Sequence, residues 1–381
     1  MSTHDESTAF VPDRGSIGLR TERRGVRAVL GMTSVCCSGA ALALAVLGVS
    51  QFDLPIVGYV RSVTVHVPWQ KLTIPWMAFT SDVGNWIGEG THLVWLSIAL
   101  LLVGRIWTRL AFTKAGVQTL IAHGLVTVVV IGLKHLIGRP RPKFTHSGEW
   151  HIDPTWTSGF DSFPSGHTGA SFAVATVLAK RFPALAPLCI GIAVFVTLSR
   201  VLRGSHFPTD VLMGACLGAL SGLIAAAPLK HWRASFQTGL QRTAIGACAA
   251  LGLLWSVSTP SEEGISGILM PGVGLVATAS GLWLRKTMWT KKTGSDQSSR
   301  LSADSSFLLI AGGLASMTMS WHVVAATGLA CVAYWLNIGR VPQEESQGTR
   351  TWSIARESLV LVGVLVVVMI LYGGRDMMPF G

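Results

Sequence analysis

Charged side chains are scarce in this chain. Asp, Glu, Lys and Arg make up 13% of its 381 residues, and 50% are hydrophobic, whereas soluble domains carry about 25% charged residues. Apolar runs close to the roughly 20 residues that cross a bilayer recur along the sequence. Because a membrane-spanning chain must satisfy its backbone hydrogen bonds internally, this pattern excludes a soluble domain. It predicts an all-α, polytopic membrane helical bundle.

Cysteine and carboxylate clusters are also lacking. The cysteines have neither the spacing of metal ligands nor the pattern of a secreted disulfide framework, and the acidic residues are not grouped as metal ligands would be. We therefore expect no metal and no cofactor, and we interpret the cysteines as small core residues. The six cysteines, all inside or at the edges of apolar runs, are Cys36, Cys37, Cys189, Cys216, Cys248 and Cys331.

Positive charge is in excess, with 30 basic against 19 acidic residues. The basic residues are scattered between apolar runs, where the positive-inside rule accounts for most of them. Nucleic acid is therefore not an expected partner, whereas membrane lipids are. The polar segment 1–25 contains several arginines and is expected to be a cytoplasmic tail, followed by a signal anchor rather than a cleaved signal peptide.

Eleven apolar runs predict helices. Residues 306–338 could form one long helix or two, because no Gly or Pro marks a turn near Ser320; two helices keep later basic residues inside, so we favour them. The segment 51–90 is expected to be an interfacial helix and loop. The predicted helices cover about 28–50, 91–108, 116–137, 166–180, 184–203, 208–229, 243–258, 264–284, 306–320, 323–338 and 358–373.

Three polar clusters fall on the predicted outer side, where few basic residues are expected. They follow the third apolar run (134–143), open the fourth (164–167) and join the fifth to the sixth (199–210). Ionisable residues at membrane depth are costly and usually functional. The simpler alternatives are snorkelling of single basic residues and ordinary helix capping by His206 and Asp210.

Together these clusters have the chemistry of a phosphate site. Two guanidinium groups, an ammonium group and the N–H groups at a helix start bind a tetrahedral oxyanion. Ser165 and Gly166 are placed to contact its oxygens. A neutral imidazole can attack phosphorus while a second one protonates the leaving group. We assign the attack to His206, and we expect Asp210, four residues later, to accept a hydrogen bond from its ring.

The three clusters also match a known signature. Lys134-x6-Arg141-Pro142, Pro164-Ser165-Gly166-His167 and Ser199-Arg200-x5-His206-x3-Asp210 resemble the motifs of the type 2 phosphatidic acid phosphatase (PAP2) superfamily. The resemblance implies a six-helix phosphatase core at 26–231. It leaves 232–381 as a C-terminal extension of about five further transmembrane helices with no assigned role.

The resemblance also implies roles for single residues. The histidine matching His206 forms a phosphohistidine, the aspartate matching Asp210 orients it, and the histidine matching His167 is the general acid. No metal or cofactor is implied. The residues implied to hold the phosphoryl oxygens are Lys134, Arg141, Ser165, Gly166 and Arg200.

The expected function is removal of phosphate from a phospholipid or isoprenoid lipid phosphate on the outer face of a bacterial inner or plasma membrane. Candidates are undecaprenyl diphosphate, favoured by the outward site, phosphatidylglycerol phosphate, phosphatidic acid and lipid A phosphates. A phosphotransferase acting on a second lipid, and a non-catalytic binding or translocating module, are the alternatives. Arg139, Lys143 and Arg203 are expected near anionic head groups or lipids. The aromatic residues of 143–163 are expected at a lipid entrance or the membrane interface.

Overall fold

The described part of the chain forms a bundle of α-helices. The computed structural model describes residues 14–63, 75–145, 153–228, 231–258, 265–290, 297–318 and 320–336. Throughout these ranges the long regular elements are helices, which confirms the all-α prediction. They are α1 (Arg14–Ser50), α2 (Asp53–Val63), α3 (Pro75–Ile87), α4 (Gly90–Ile106), α5 (Leu110–Ile137), α6 (Gly166–Arg181), α7 (Ala186–Leu202), α8 (Pro208–Ala225), α9 (Trp232–Ser258), α10 (Ile265–Thr290), α11 (Gln297–Met317) and α12 (Trp321–Leu336).

The protein is an integral membrane protein, but in the part of the chain that the structure describes only some of the predicted helices qualify as membrane spans. Ten predicted helices coincide with α1 and α4–α12, and the last, 358–373, lies outside the described residues. Several helices are shorter than a bilayer requires; α6, for example, has 16 residues. Among the described residues, four segments are long and apolar enough to cross a membrane, and α3 with α4, bent by 53°, would add a fifth. The four are Val29–Ser62, Leu110–Phe144, Pro183–Leu202 and Pro208–Ala225.

Residues 306–338 form two helices, as predicted. Helix α11 ends at Met317 and α12 begins at Trp321. The Thr318 hydroxyl donates to the Ala315 carbonyl at 2.7 Å. Such local bonds offer the backbone an alternative to continuing the helix, so the break needs neither Gly nor Pro.

The described helices of the segment 51–90, α2 and α3, pack more closely against the bundle than the predicted interfacial helix and loop would. Helix α3 packs against α7 so tightly that a Cβ on Gly84 would lie 2.3 Å from the Ser199 Cβ. In α2, the Arg61 Nη2 donates to the carbonyls of Pro142 at 2.5 Å and Thr145 at 2.7 Å. Both helices therefore reach the segments that carry the predicted motifs.

Helices α6 and α8 approach each other along a line of glycines. Gly214, Gly218 and Gly222 are four residues apart on α8 and face α6, and small residues at this spacing let two backbones come close. The contact sets the start of α6 against the start of α8. An added Cβ at these glycines would lie 2.5, 2.2 and 2.7 Å from the backbone oxygens of Ser165, Gly169 and Ala173, respectively.

Of the C-terminal helices, α9 and α12 pack on α1, whereas α10 and α11 pack mainly on each other. Gln241 of α9 donates to the Ser34 hydroxyl at 3.1 Å and also to the Ala333 carbonyl. The domain boundary at 231 stays a prediction. Helix α1, the first helix of the predicted core, makes its largest apolar contact with helices of the predicted C-terminal extension. The shared core contains Ala41, Ala45, Val49, Ala244, Ala247, Leu251, Val323, Ala326 and Ala330.

Candidate active site

The first predicted motif lies where α5 ends. Lys134 is in the last turn, and Gly138 ends the helix in a left-handed conformation (φ 62°), donating its N–H to the Lys134 carbonyl at 2.9 Å. A Cβ on Gly138 would lie 1.8 Å from the Asp153 carbonyl oxygen, so only glycine fits this turn. The turn directs the chain from Lys134 towards Arg141.

The corner between α7 and α8 carries the third motif. Arg200 is in the last turn of α7, Gly204 (φ 62°) reverses the chain, and Asp210 is in the first turn of α8. The Asp210 Oδ2 accepts the Phe207 N–H at 2.8 Å, which is a helix-capping bond. The capping alternative is therefore correct for Asp210, but it is only part of what this carboxylate does.

Asp210 is fully buried and accepts further hydrogen bonds from residues distant in the chain. The Ser162 hydroxyl donates to its Oδ2 at 2.6 Å, and the Arg139 Nη1 donates to its Oδ1 at 2.5 Å. The Ser165 N–H donates to its backbone carbonyl at 2.9 Å. Asp210 thereby joins all three predicted motifs.

His206 is oriented through Ser162 rather than by the direct bond to Asp210 that we predicted. Its Nδ1 lies 2.7 Å from the Ser162 carbonyl and 3.8 Å from the Asp210 Oδ2, and the second distance is too long for a hydrogen bond. His206 precedes α8, so helical i, i+4 spacing does not apply to it. Because a carbonyl can only accept, Nδ1 carries the proton, and Nε2 of the neutral ring keeps its lone pair.

Burial also keeps this ring neutral. It lowers the pKa of His206 to about 4, because an imidazolium loses its hydration there; the charge of Arg200 acts in the same direction, and Asp210 opposes both. His167, half-buried at the second position of α6, feels the charges of Arg200, His206, Lys134 and Arg141. The two histidines and the three cations therefore share one site.

Two of the predicted phosphate-binding cations contact an aspartate that sequence reasoning missed. The Arg141 Nε and Nη2 donate to the two Asp161 carboxylate oxygens at 2.8 and 2.6 Å. The Lys134 Nζ donates to the Asp161 backbone carbonyl at 2.7 Å and to its Oδ2 at 3.3 Å. Burial alone would raise the pKa of Asp161, but the Arg141 hydrogen bond and both positive charges outweigh it and hold the pKa well below its usual range.

The remaining phosphate-binding candidates differ in how many of their donor groups already have a hydrogen-bond partner. Arg200 is nearly buried, and its Nη1 donates to the Asn85 side-chain oxygen of α3, a contact that sequence reasoning also missed. Its Nε and the Ser165 Oγ have no partner among the described residues. The Ser165 N–H is occupied by Asp210, but the first N–H groups of α6, from Gly166 onwards, have no intrahelical partner.

Arg139 does not face lipid head groups as predicted. It is fully buried: its Nη2 donates to the Asp53 Oδ2 at 2.7 Å, its Nη1 donates to Asp210, and its guanidinium lies 4.1 Å from the centre of the Phe207 ring. The signal that could have identified Asp53 is an acidic residue directly after a long apolar run. Arg203, by contrast, is exposed, 3.2 Å from Asp82.

The aromatic loop is only partly described. Trp156 is 82% exposed and its ring stacks on His135 at 3.7 Å, while Lys143 lies 4.9 Å from the centre of the Phe144 ring. Phe160 is partly exposed. The other predicted aromatic and histidine positions of this loop, Trp150, His146 and His151, lie outside the described residues.

Comparisons with known proteins identify the family of the chain. The model of the PAP2 superfamily matches residues 115–233. A lipid A 1-phosphatase from Rhizobium johnstonii is 30% identical over 221 residues, covering 54% of this chain and 86% of the relative. A decaprenylphosphoryl-5-phosphoribose phosphatase from Mycobacterium tuberculosis is 31% identical over 137 residues, covering 35% and 72%.

A solved structure is also similar to part of the chain. It is the transmembrane PAP2-type phosphatidylglycerolphosphate phosphatase from Bacillus subtilis, with 27% identity, 51% of this chain and 94% of that chain covered, and a TM-score of 0.38. The family match contains all three motifs, and the Rhizobium relative is covered over most of its length. The chain therefore belongs to the PAP2 superfamily and is a phosphatase of the PAP2 type.

Proposed function

We propose that this phosphatase hydrolyses a phosphate ester of a membrane lipid through a phosphohistidine at His206. The observation that carries the proposal is the state of this ring: it is buried and neutral, its Nδ1–H is held by the Ser162 carbonyl, and its Nε2 is unprotonated. An imidazole held in this way is a nucleophile that needs no separate base.

In the first step the His206 Nε2 attacks phosphorus, and the bond between phosphorus and the lipid oxygen breaks. Burial, together with the cations of the site, lowers the pKa of His167 to about 3, so we infer that His167 takes up its proton beside the bound phosphate, whose negative charge favours the imidazolium. His167 then donates this proton to the departing oxygen, and the lipid leaves as an alcohol. The phosphorylated His206 ring gains positive charge. The Asp210 carboxylate, 3.8 Å from its Nδ1, stabilises that charge.

In the second step water attacks the phosphorus of the phosphohistidine. His167, now neutral, takes a proton from the water, and the phosphorus–nitrogen bond breaks. Inorganic phosphate leaves, His206 is neutral again, and His167 is protonated for the next cycle. The water adds one hydroxyl to phosphorus and one proton to His167, which balances the reaction.

Positive side chains supply the charge that holds the phosphoryl oxygens, so the proposal involves no metal and no cofactor. Lys134, Arg141 and Arg200 are the cations, and the Ser165 hydroxyl and the N–H of Gly166 add neutral donors. Asp161 already contacts two of these cations. An arriving phosphate group therefore competes with Asp161 for them.

The names of two relatives support a narrower proposal for the substrate. A lipid A 1-phosphatase and a decaprenylphosphoryl-5-phosphoribose phosphatase favour a phosphate on the saccharide head group of a lipid over undecaprenyl diphosphate, which the sequence favoured. The excess of basic residues in the predicted inside loops supports a cytoplasmic N-terminus and a site on the outer face. Phosphatidylglycerol phosphate and phosphatidic acid are further candidates.

The test is phosphate release by the purified full chain in detergent micelles. The panel contains lipid A 1-phosphate, decaprenylphosphoryl-5-phosphoribose, phosphatidylglycerol phosphate, phosphatidic acid, undecaprenyl diphosphate and glucose 6-phosphate, each with and without EDTA. We expect release from a saccharide-bearing lipid, unchanged by EDTA, together with an acid-labile phosphoenzyme. Release from glucose 6-phosphate alone would refute the lipid assignment, and a doubly phosphorylated lipid product would indicate phosphotransfer.

His206→Ala is the decisive variant. We expect it to lose activity by about 1,000-fold or more, because removing a nucleophile removes the covalent route. His231→Ala, which changes a histidine outside the site, is the matched control and is expected to keep full activity. Normal turnover in His206→Ala would refute the nucleophile assignment.

A further inference from the structure

We propose that Asp53 and Arg139 are positioning residues of this active site, which fix Asp210 and keep its negative charge effective at His206. Neither belongs to the positions assigned above to attack, proton transfer or phosphate binding. The inference rests on the proposed phosphohistidine mechanism.

The first observation is the geometry of Arg139. Its guanidinium lies between two carboxylates, bonded to Asp210 at 2.5 Å through Nη1 and to Asp53 at 2.7 Å through Nη2. All three side chains are at most 2% exposed. Because a planar guanidinium presents its N–H groups in a fixed fork, this arrangement fixes the direction of the Asp210 carboxylate.

The second observation is the charge of the group. Arg139 and Asp210 alone would form a neutral pair, and little field would remain at the His206 ring. With Asp53 on the other side of the guanidinium, the three groups together carry one negative charge. In a buried site of low dielectric, that charge stabilises the positive ring of the phosphorylated His206.

The third observation is how Asp53 itself is held. Its Oδ1 accepts the Thr209 backbone N–H at 2.9 Å and the Thr209 hydroxyl at 2.8 Å, and Thr209 directly precedes Asp210. Asp53 is therefore linked to Asp210 in two indirect ways: through the Arg139 guanidinium and through Thr209 in the first turn of α8. Asp53 is the first residue of α2, 156 residues away in sequence from Thr209.

A structural role and a positioning role differ in what they predict. If the buried ion network only joined α2 to α8, replacing Asp53 would lower the unfolding temperature but leave kcat unchanged in the protein that still folds. If it positions Asp210 and sets the charge at His206, kcat falls while KM, which reports phosphate binding by other residues, changes little.

The test compares Asp53→Asn with Asp82→Asn, which removes an exposed carboxylate that also pairs with an arginine. The full chain in micelles is assayed with lipid A 1-phosphate and with p-nitrophenyl phosphate. We expect Asp53→Asn to lower kcat about 10- to 100-fold with KM within about threefold, and to slow phosphoenzyme formation. Asp53→Glu, which keeps the charge, should recover part of kcat, and Asp82→Asn should match the parent.

A kcat for Asp53→Asn within about twofold of the parent would overturn the inference. If Asp53→Asn does not fold, Arg139→Lys tests the same point, because lysine keeps the charge but lacks the planar fork; an unchanged kcat there would also overturn it. His206→Ala is assayed in parallel. An inactive His206→Ala beside a fully active Asp53→Asn refutes this inference alone, whereas an active His206→Ala refutes the proposed mechanism.

Discussion

At the residue scale, Asp161 contacts two of the cations that are proposed to bind the substrate phosphate. Its carboxylate contacts both Arg141 and Lys134, and these cations hold its pKa well below the usual range. It therefore remains charged at neutral pH and opposes the binding of another anion. Strong binding of inorganic phosphate, the product, would slow turnover, and we expect the Asp161 carboxylate to weaken that binding.

Asp161→Asn should therefore tighten anion binding. Removing the competing charge is expected to lower the inhibition constants of inorganic phosphate and vanadate about tenfold, which corresponds to about 1.4 kcal/mol. The measurement is competitive inhibition of phosphate release. Asp153→Asn, at an exposed position of the same loop, should leave both constants unchanged. Weaker inhibition in Asp161→Asn would mean that Asp161 orients the two cations instead of competing for them.

Some site residues could be predicted from the sequence, and others could not. His206, His167, Lys134 and Arg200 lie in motifs whose spacing is visible along the chain, and the structure brings them together. Asp161 and Asn85 belong to no motif. Their importance comes from contacts between segments that only packing places side by side.

At the element scale, the contact between α6 and α8 sets the distance between the second and third motifs. The glycines of α8 let its backbone approach the backbone of α6, and the Ser165 N–H reaches the Asp210 carbonyl across this contact. Larger side chains in place of these glycines would push the two helices apart and would move Ser165 and His167 away from His206. The glycines therefore act on the chemistry through helix spacing.

Gly218→Ala should disturb this spacing. The added Cβ would lie 2.2 Å from the Gly169 backbone oxygen, so we expect a loss of unfolding free energy of about 1–3 kcal/mol and a clear fall in kcat. Gly124→Ala on α5, where nothing lies within 4 Å of an added Cβ, is the matched control and should be neutral or slightly stabilising. Thermal unfolding in micelles and phosphate release measure both effects; equal behaviour of the two variants would contradict the spacing argument.

At the scale of the whole molecule, the C-terminal helices reach the active site indirectly. Trp255 of α9 contacts Phe52 edge to face, with ring centres 5.5 Å apart, and lies 5.4 Å from the His322 ring of α12. Phe52 directly precedes Asp53, which bonds Arg139 and Thr209. The C-terminal extension thereby packs against the junction of α1 and α2, the corner that carries Asp53.

Trp255→Ala should therefore lower kcat severalfold with little change in KM, a weaker form of the effect expected for Asp53→Asn. Losing the large ring lets the corner move without removing any charge. Trp283→Ala, at an exposed position on α10 of the same extension, is the control and should retain the parent kcat. The comparison requires steady-state kinetics on both variants; an unchanged kcat in Trp255→Ala would show that the corner is held without this contact.

Sequence patterns alone predicted the helical membrane character, ten of the described helices and the three motifs, because hydrophobic runs and short motif spacings are local properties. The break before Trp321 was predicted from the distribution of basic residues. Two features become visible only in the folded chain. Ser162, not Asp210, accepts the His206 hydrogen bond, and Arg139 is buried between Asp53 and Asp210. The Arg139 to Asp53 bond joins residues 86 apart in the chain. Which buried charges meet depends on how helices pack, since a charge removed from water is stable only beside its partner.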